Sequence, residues 1–102
     1  MMADKTILIL NAIPNTEDMA SLQLYLSQIG GVFKQFGGSR KLGWKTQEQI
    51  MGTSGIKIMA VFEFPSIQSI KDMITSHEFN SLNSLRKKAY KQEVDLMICE
   101  AL

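Results

Sequence analysis

Residues Ile56 to Arg86, IKIMAVFEFPSIQSIKDMITSHEFNSLNSLR, read as a buried strand, a proline stop and two capped amphipathic helices in one run. From Ile56 to Phe64 the residues Ile56, Ile58, Ala60, Phe62 and Phe64 fall on one face of a pleated strand and Met59 and Val61 on the other, with Lys57 and Glu63 as the polar members. Pro65 has no N–H to continue a ladder, and the Ser66 hydroxyl is placed to cap a helix carrying Ile67, Ile70 and Ile74 toward a core. Ser76 opens a second helix, with Phe79, Leu82, Leu85 or Arg86, and Ala89 at helical spacing.

Working outward, Thr6 to Leu10 is a β-branched and aliphatic strand that ends in the turn cluster Asn11-Ala12-Ile13-Pro14-Asn15. Asn15 or Thr16 then caps a helix with Glu17 and Asp18 in its first turn and Met19, Leu22, Leu26, Ile29 and Phe33 on one face. This helix is expected to reach about Phe36, weakened or kinked at Gly30-Gly31 and stopped by Gly37-Gly38. Ser39 to Lys45 is a polar second strand suited to a sheet edge, and Thr46 to Gly55 is the least structured stretch. Val94 to Leu102 is the last strand, with Val94, Leu96 and Ile98 alternating against Asp95, Met97 and Cys99. The order β-α-β-β-α-β predicts a ferredoxin-like α+β domain over residues 1–102, built on a four-stranded antiparallel sheet.

Such a sheet with helices on one side ordinarily shows water a polar second face. Here Met59, Val61, Met97, Cys99 and one parity of Ile7 to Leu10 leave that face apolar. Because soluble monomers rarely leave several hundred Å² of contiguous apolar surface open, the strands predict a symmetric homodimer with two sheets face to face. RNA-recognition domains share the strand order, but they stack bases on sheet aromatics, and the matching positions here are Leu8, Met59 and Val61. With eleven basic and ten acidic residues there is no basic face either, so no nucleic-acid partner is expected. Cys99 is the single cysteine, which excludes an internal disulfide and fits a reducing, cytoplasmic setting. The apolar run Ile7 to Leu10 is too short for a signal core or a membrane span.

Each candidate for chemistry has two readings. Glu63, on the mostly apolar second face, is either a desolvated carboxylate suited to proton transfer or a strand-end partner of a Lys or Arg. His77, the only histidine, is either a solvent-facing residue of a Ser-capped turn or a haem ligand, and a lone histidine cannot build a multi-histidine metal site. Trp44 beside Arg40 and Lys45 is either the aromatic wall and anion contact of a pocket or a cover for the dimer seam. Asn11 is a turn residue or a ligand-orienting amide, and Phe79 reads as core. Arg86 with Lys87 and Lys88 reads as a solvated helix side, while Met59, Met73 and Met97 read as fillers of dimer-core space and Cys99 as inert packing. No metal ligand set and no phosphate loop is recognisable, and no cofactor is expected.

Phe36-Gly37-Gly38, then Val61-Phe62-Glu63-Phe64-Pro65-Ser66, then Ser76-His77-Glu78-Phe79 and Leu85-Arg86 together resemble the bacterial domain-of-unknown-function thirteen-thirty family of the dimeric α+β barrel superfamily. The resemblance implies a homodimeric barrel with a cavity between sheet and helices, in a superfamily that includes cofactor-free monooxygenases, muconolactone isomerases and haem-binding enzymes. It also exposes departures: the family's first-strand tyrosines are aliphatic here, a second-strand arginine is replaced by Gly43 or Trp44, a loop glutamate appears as Met51, and the tyrosine after Glu78 is Phe79. The residues therefore point to a small homodimer binding a partly apolar organic molecule, with Asn11, Arg40, Trp44, Glu63, His77 and Phe79 as contacts and cofactor-independent catalysis as an extension. The alternative is a non-catalytic structural or interaction protein whose barrel is filled by its own side chains.

Overall fold

Alternating apolar residues build the sheet of the computed structural model, which describes residues 5–100 and 102. The strands are β1 (Thr6–Ala12), β2 (Ser39–Lys45), β3 (Ile58–Phe64) and β4 (Asp95–Cys99). They form one antiparallel sheet in the order β2-β3-β1-β4, with Leu8 opposite Phe62 and Ile98, and Leu10 opposite Ala60 and Leu96. Those residues face the helices α1 (Met19–Gln35), α2 (Ile67–Ile74), α3 (His77–Asn80) and α4 (Asn83–Ala89). Phe64, Leu8, Ile70 and Met73 are the largest fully buried side chains.

Several boundaries differ from the sequence expectation. Helix α1 starts at Met19 rather than near Thr16, capped by Asp18, whose carboxylate accepts from the Ser21 amide at 3.2 Å. The segment before it is still paired: Asn15 N–H donates to Ala89 O and Lys91 N–H to Ile13 O, so the chain cannot coil earlier. The buried face of α1 is Leu22, Tyr25, Val32 and Phe33, while Met19 and Leu26 are about half exposed. In α2 it is Met73 with Ile70 that enters the chain's own core, leaving Ile67 and Ile74 exposed, so Met73 is not a dimer-core filler. The single helix expected after Ser76 divides into α3 and α4, because the Asn80 amide reaches back to the carbonyls of Ile74 and Ser76 and competes with helical continuation. Strand β3 begins at Ile58 rather than Ile56, and β4 ends at Cys99 rather than Leu102; Ala101 lies outside the described residues.

Helix α1 runs through Gly30-Gly31 and stops at Gly37, which has φ +86°. Gly38 N–H donates to Phe33 O at 2.8 Å and Gly37 N–H to Lys34 O at 3.0 Å, the paired closure of a Schellman cap. Both glycines also pack on the corner that ends β3. A Cβ on Gly37 would stand 2.7 Å from Pro65 Cγ, and one on Gly38 would overlap the Phe64 ring. The family-like segments 36–38 and 61–66 are thus two sides of one contact, and it fixes where α1 hands over to β2.

Gly38→Ala is expected to destabilise the chain by about 1–3 kcal/mol through overpacking. Gly31→Ala, which meets nothing within 4 Å, should stabilise it by up to about 1 kcal/mol through helix propensity. Urea denaturation of the two variants checks this; equal effects would contradict the assigned packing.

Candidate functional site

A cleft of about 610 Å³ opens between α1 and the helix-side face of the sheet. Its walls are mainly apolar, with Leu10, Ile29, Phe33, Ala60 and Phe62 joined by the rings of Tyr25 and Tyr90. Phe33 fixes one wall by packing edge-on against Phe62 at 4.7 Å and Phe64 at 5.7 Å between ring centroids. Gly30 faces the cleft with open space where a side chain would stand.

Beside it lies the most polar part of the core. Arg86 Nε donates to the Tyr25 hydroxyl at 3.0 Å, its Nη2 to Phe79 O at 3.1 Å and its Nη1 to Asn83 Oδ1. Its guanidinium carbon stands 4.2 Å from the Phe79 ring centroid, so the cation is held by stacking as well as by hydrogen bonds. Arg86 is therefore half-buried and engaged, in contrast to the solvated position expected for it with Lys87 and Lys88, which are exposed. Tyr90 meets Tyr25 edge to face at 5.6 Å and is held in place by the bridge between residues 14 and 90. Burial pushes the Tyr25 phenol above its ordinary range against the pull of Arg86, and burial pushes Tyr90 up to about 12. A hollow of about 180 Å³ adjoins the cleft across Leu10, Tyr25 and Phe33 and is lined by Phe79, Arg86 and Glu93. A more polar hollow of about 540 Å³ lies outside it, around Asn83, Lys87 and Gln92.

The six candidate contacts do not converge. Arg40 lines the cleft, and buried Phe79 lines the smaller hollow beneath Arg86. Asn11, Trp44 and Glu63 are on the opposite face of the sheet. Asn11 and Trp44 share one cross-strand row through Met59, while Glu63 is four residues further along β3, roughly 13 Å away at strand rise. The Asn11 Oδ1 atom is buried there without a hydrogen-bond partner among the described residues. Glu63 pairs with Lys5 and Lys41, each 3.6 Å from its Oε1, which is the strand-end ion pair of the two readings given to it. His77 is exposed at the start of α3 and is absent from the cleft lining, so it supplies no ligand to a group bound there.

The pairing of Arg40 with Trp44 fails for a definite reason. Simple alternation puts residues 40, 42 and 44 on one face, but β2 carries a bulge between Arg40 and Leu42. Arg40 consequently lies opposite Phe62 on the helix side, while Leu42 and Trp44 lie opposite Val61 and Met59 on the other. Tyr25 and Tyr90 were not singled out by sequence, although they are the only two tyrosines. Tyr25 follows Leu22 by three residues on a helical face, and Arg86 sits four residues after Leu82 and three before Ala89, which is the spacing that could have found both.

The sheet order and helix layer place the protein among ferredoxin-like α+β folds. A family model for a domain of unknown function, DUF1330, matches residues 6–102, and the chain belongs to that family. Among solved structures, a protein of unknown function from Rhodopseudomonas palustris is similar at TM-score 0.76 and 18% identity, over 98% of this chain and 85% of that one. An ethyl tert-butyl ether d (EthD) family protein from Bacillus halodurans is similar at TM-score 0.65 and 17% identity, over 96% and 99%. A dimeric protein of unknown function and ferredoxin-like fold from Bacteroides fragilis is similar at TM-score 0.67 and 9% identity, over 99% and 100%. No curated protein matches the chain.

The buried phenols have a pH consequence. An unfolded tyrosine ionises near pH 10, so as pH rises from about 10 toward 12 the folded chain retains a proton on Tyr90 that the unfolded chain has released, and stability falls across that window. At about pH 10, where a free tyrosine is half ionised, native protein is expected to show less phenolate absorbance than the same protein in denaturant. Half-ionised tyrosine in the native state at that pH would contradict the packing described.

Proposed function

We propose that the chain acts as a single dimeric α+β barrel domain, closed through its apolar sheet face, that binds a small, partly apolar organic molecule in the cleft between α1 and the sheet. The cleft itself carries this reading: its volume of about 610 Å³ falls in the range of about 300–1,000 Å³ usual for ligand sites, and its lining combines aliphatic walls with two phenols. A helix layer packed fully against the sheet would leave no such space, which favours binding over a purely structural role.

The chemistry of the lining favours binding and orientation over proton abstraction. Tyr25 and Tyr90, with phenols pushed upward, stay protonated at neutral pH and donate hydrogen bonds rather than act as bases. Among the described residues, neither a carboxylate nor a histidine lines the cleft. Cofactor-independent catalysis would therefore have to draw on electrophilic assistance from these hydroxyls.

Dimerisation is supported by the open face of the sheet. Ile7, Ile9, Val61 and Cys99 are only partly covered there, while Leu42 and Trp44 are 53% and 50% exposed. The Bacteroides fragilis protein of the same fold is described as dimeric. No helix among the described residues is long and apolar enough to cross a membrane, and a cytoplasmic setting fits a chain whose single cysteine is a free thiol.

A titration with 1-octanol, a neutral apolar probe, is expected to shift the amide resonances of Ile29, Gly30, Ala60 and Phe62. Gly30→Leu, whose Cβ would meet nothing within 4 Å, extends a side chain toward the cleft and should weaken binding by roughly tenfold or more, the equivalent of about 1.4 kcal/mol, while keeping the native spectrum. Unchanged affinity in Gly30→Leu, or no response of the cleft amides to the probe, would overturn the site.

A further inference from the structure

Among the described residues, Lys34 and Arg40 are the only charged ones lining the cleft, and both are cations. The ion pairs among the described residues are Lys5 and Lys41 with Glu63, and Lys91 with Glu17, so neither cleft cation is answered by a carboxylate. The nearest acidic contact of this helix end is made elsewhere: Glu78 Oε2 accepts from the Gln35 side chain at 3.5 Å.

Their placement is built into the backbone. Lys34 stands in the last turn of α1 and Arg40 at the start of β2, joined by the Gly37-Gly38 turn. The β2 bulge then separates two neighbouring cations, sending Lys41 to Glu63 on the open face and Arg40 to the cleft. On that side the Arg40 guanidinium lies along Gly43, where even a Cβ would come within 3.5 Å of Nη1, and Gly43 is paired with Ala60 of the cleft wall, whose side chain is a single methyl. The carbonyls at the end of α1 would oppose an anion through the helix dipole, but those of Phe33 and Lys34 are occupied by the Gly38 and Gly37 amides. Apart from Ser39 and the phenols of Tyr25 and Tyr90, the remainder of the cleft is apolar, with Leu26, Ile29, Ile58 and Phe62.

We propose that the ligand class is an amphipathic monocarboxylate, its acid group held by Arg40 and Lys34 at the α1–β2 end and its apolar part lying against Ile29 and Phe62. Arginine offers a planar pair of donors that matches a carboxylate, and lysine adds a point charge. The inference rests on the cleft being the binding site argued above.

Octanoate and 1-octanol, titrated at neutral pH and low salt and followed by amide shifts in the cleft, separate the two claims. Octanoate is expected to bind about tenfold more tightly than 1-octanol, with the advantage shrinking as salt is added. Lys34→Gln/Arg40→Gln, at two exposed positions, should lower octanoate affinity about tenfold, to near that of the alcohol, and change 1-octanol affinity much less. Equal binding of both probes to the unaltered protein would overturn the carboxylate inference and keep the cleft as an apolar site. An octanoate preference that survives in the double variant would remove Lys34 and Arg40 from the role, and binding of neither probe would overturn the site itself.

Discussion

A single layer of helices cannot cover a sheet that is apolar on both faces. In this protein Leu8, Leu10, Ala60, Phe62 and Phe64 are satisfied by α1, α2 and the segment after Ser76, and the sheet's other face, with Ile7, Ile9, Val61, Met59 and Met97, is covered by none of the chain's helices. Every functional reading descends from that asymmetry. The covered face does not close completely, because α1 stands away from the sheet along Gly30 and Ile29, and the space so left is the cleft. The uncovered face has few polar groups to work with: Glu63 is neutralised by two lysines at one end, and Asn11 has its acceptor buried without a donor at the other.

The cleft and its polar neighbour are held by two local devices of unequal visibility. One is the contact of Gly37 and Gly38 with Pro65 and Phe64, in which positive φ and the lack of a Cβ let the end of α1 rest against the corner after β3. The other is Arg86, which joins α1, α3 and α4 by bonding Tyr25, the Phe79 carbonyl and Asn83 while stacking on Phe79. Removing a partner from a half-buried charged group leaves unpaired donors and acceptors behind, so this arginine is tied to stability as well as to the shape of the site.

Strand periodicity makes the fold legible in the sequence: β3 declares two apolar faces, Pro65-Ser66 and Ser76 mark helix starts, and Gly37-Gly38 marks the end of α1. The site was much less legible. A one-residue bulge at Arg40/Leu42 reverses facing along β2, and nothing in the alternation of Ser39 to Lys45 announces it, so Arg40 and Trp44 looked like neighbours and are on opposite faces. Arg86 looked solvated because it begins a basic run, yet its helical spacing from Leu82 and Ala89 turns it inward. Tyr25 was hidden for a similar reason: Leu26, its neighbour, fits the apolar periodicity equally well and is instead the exposed residue at the cleft.

The central claim is that a second copy of the chain covers the uncovered sheet face. Light scattering of the purified protein at micromolar concentration tests it most directly. The account predicts a mass of about 23 kDa, twice the 11.5 kDa of one chain. A particle of 11.5 kDa under those conditions would contradict it.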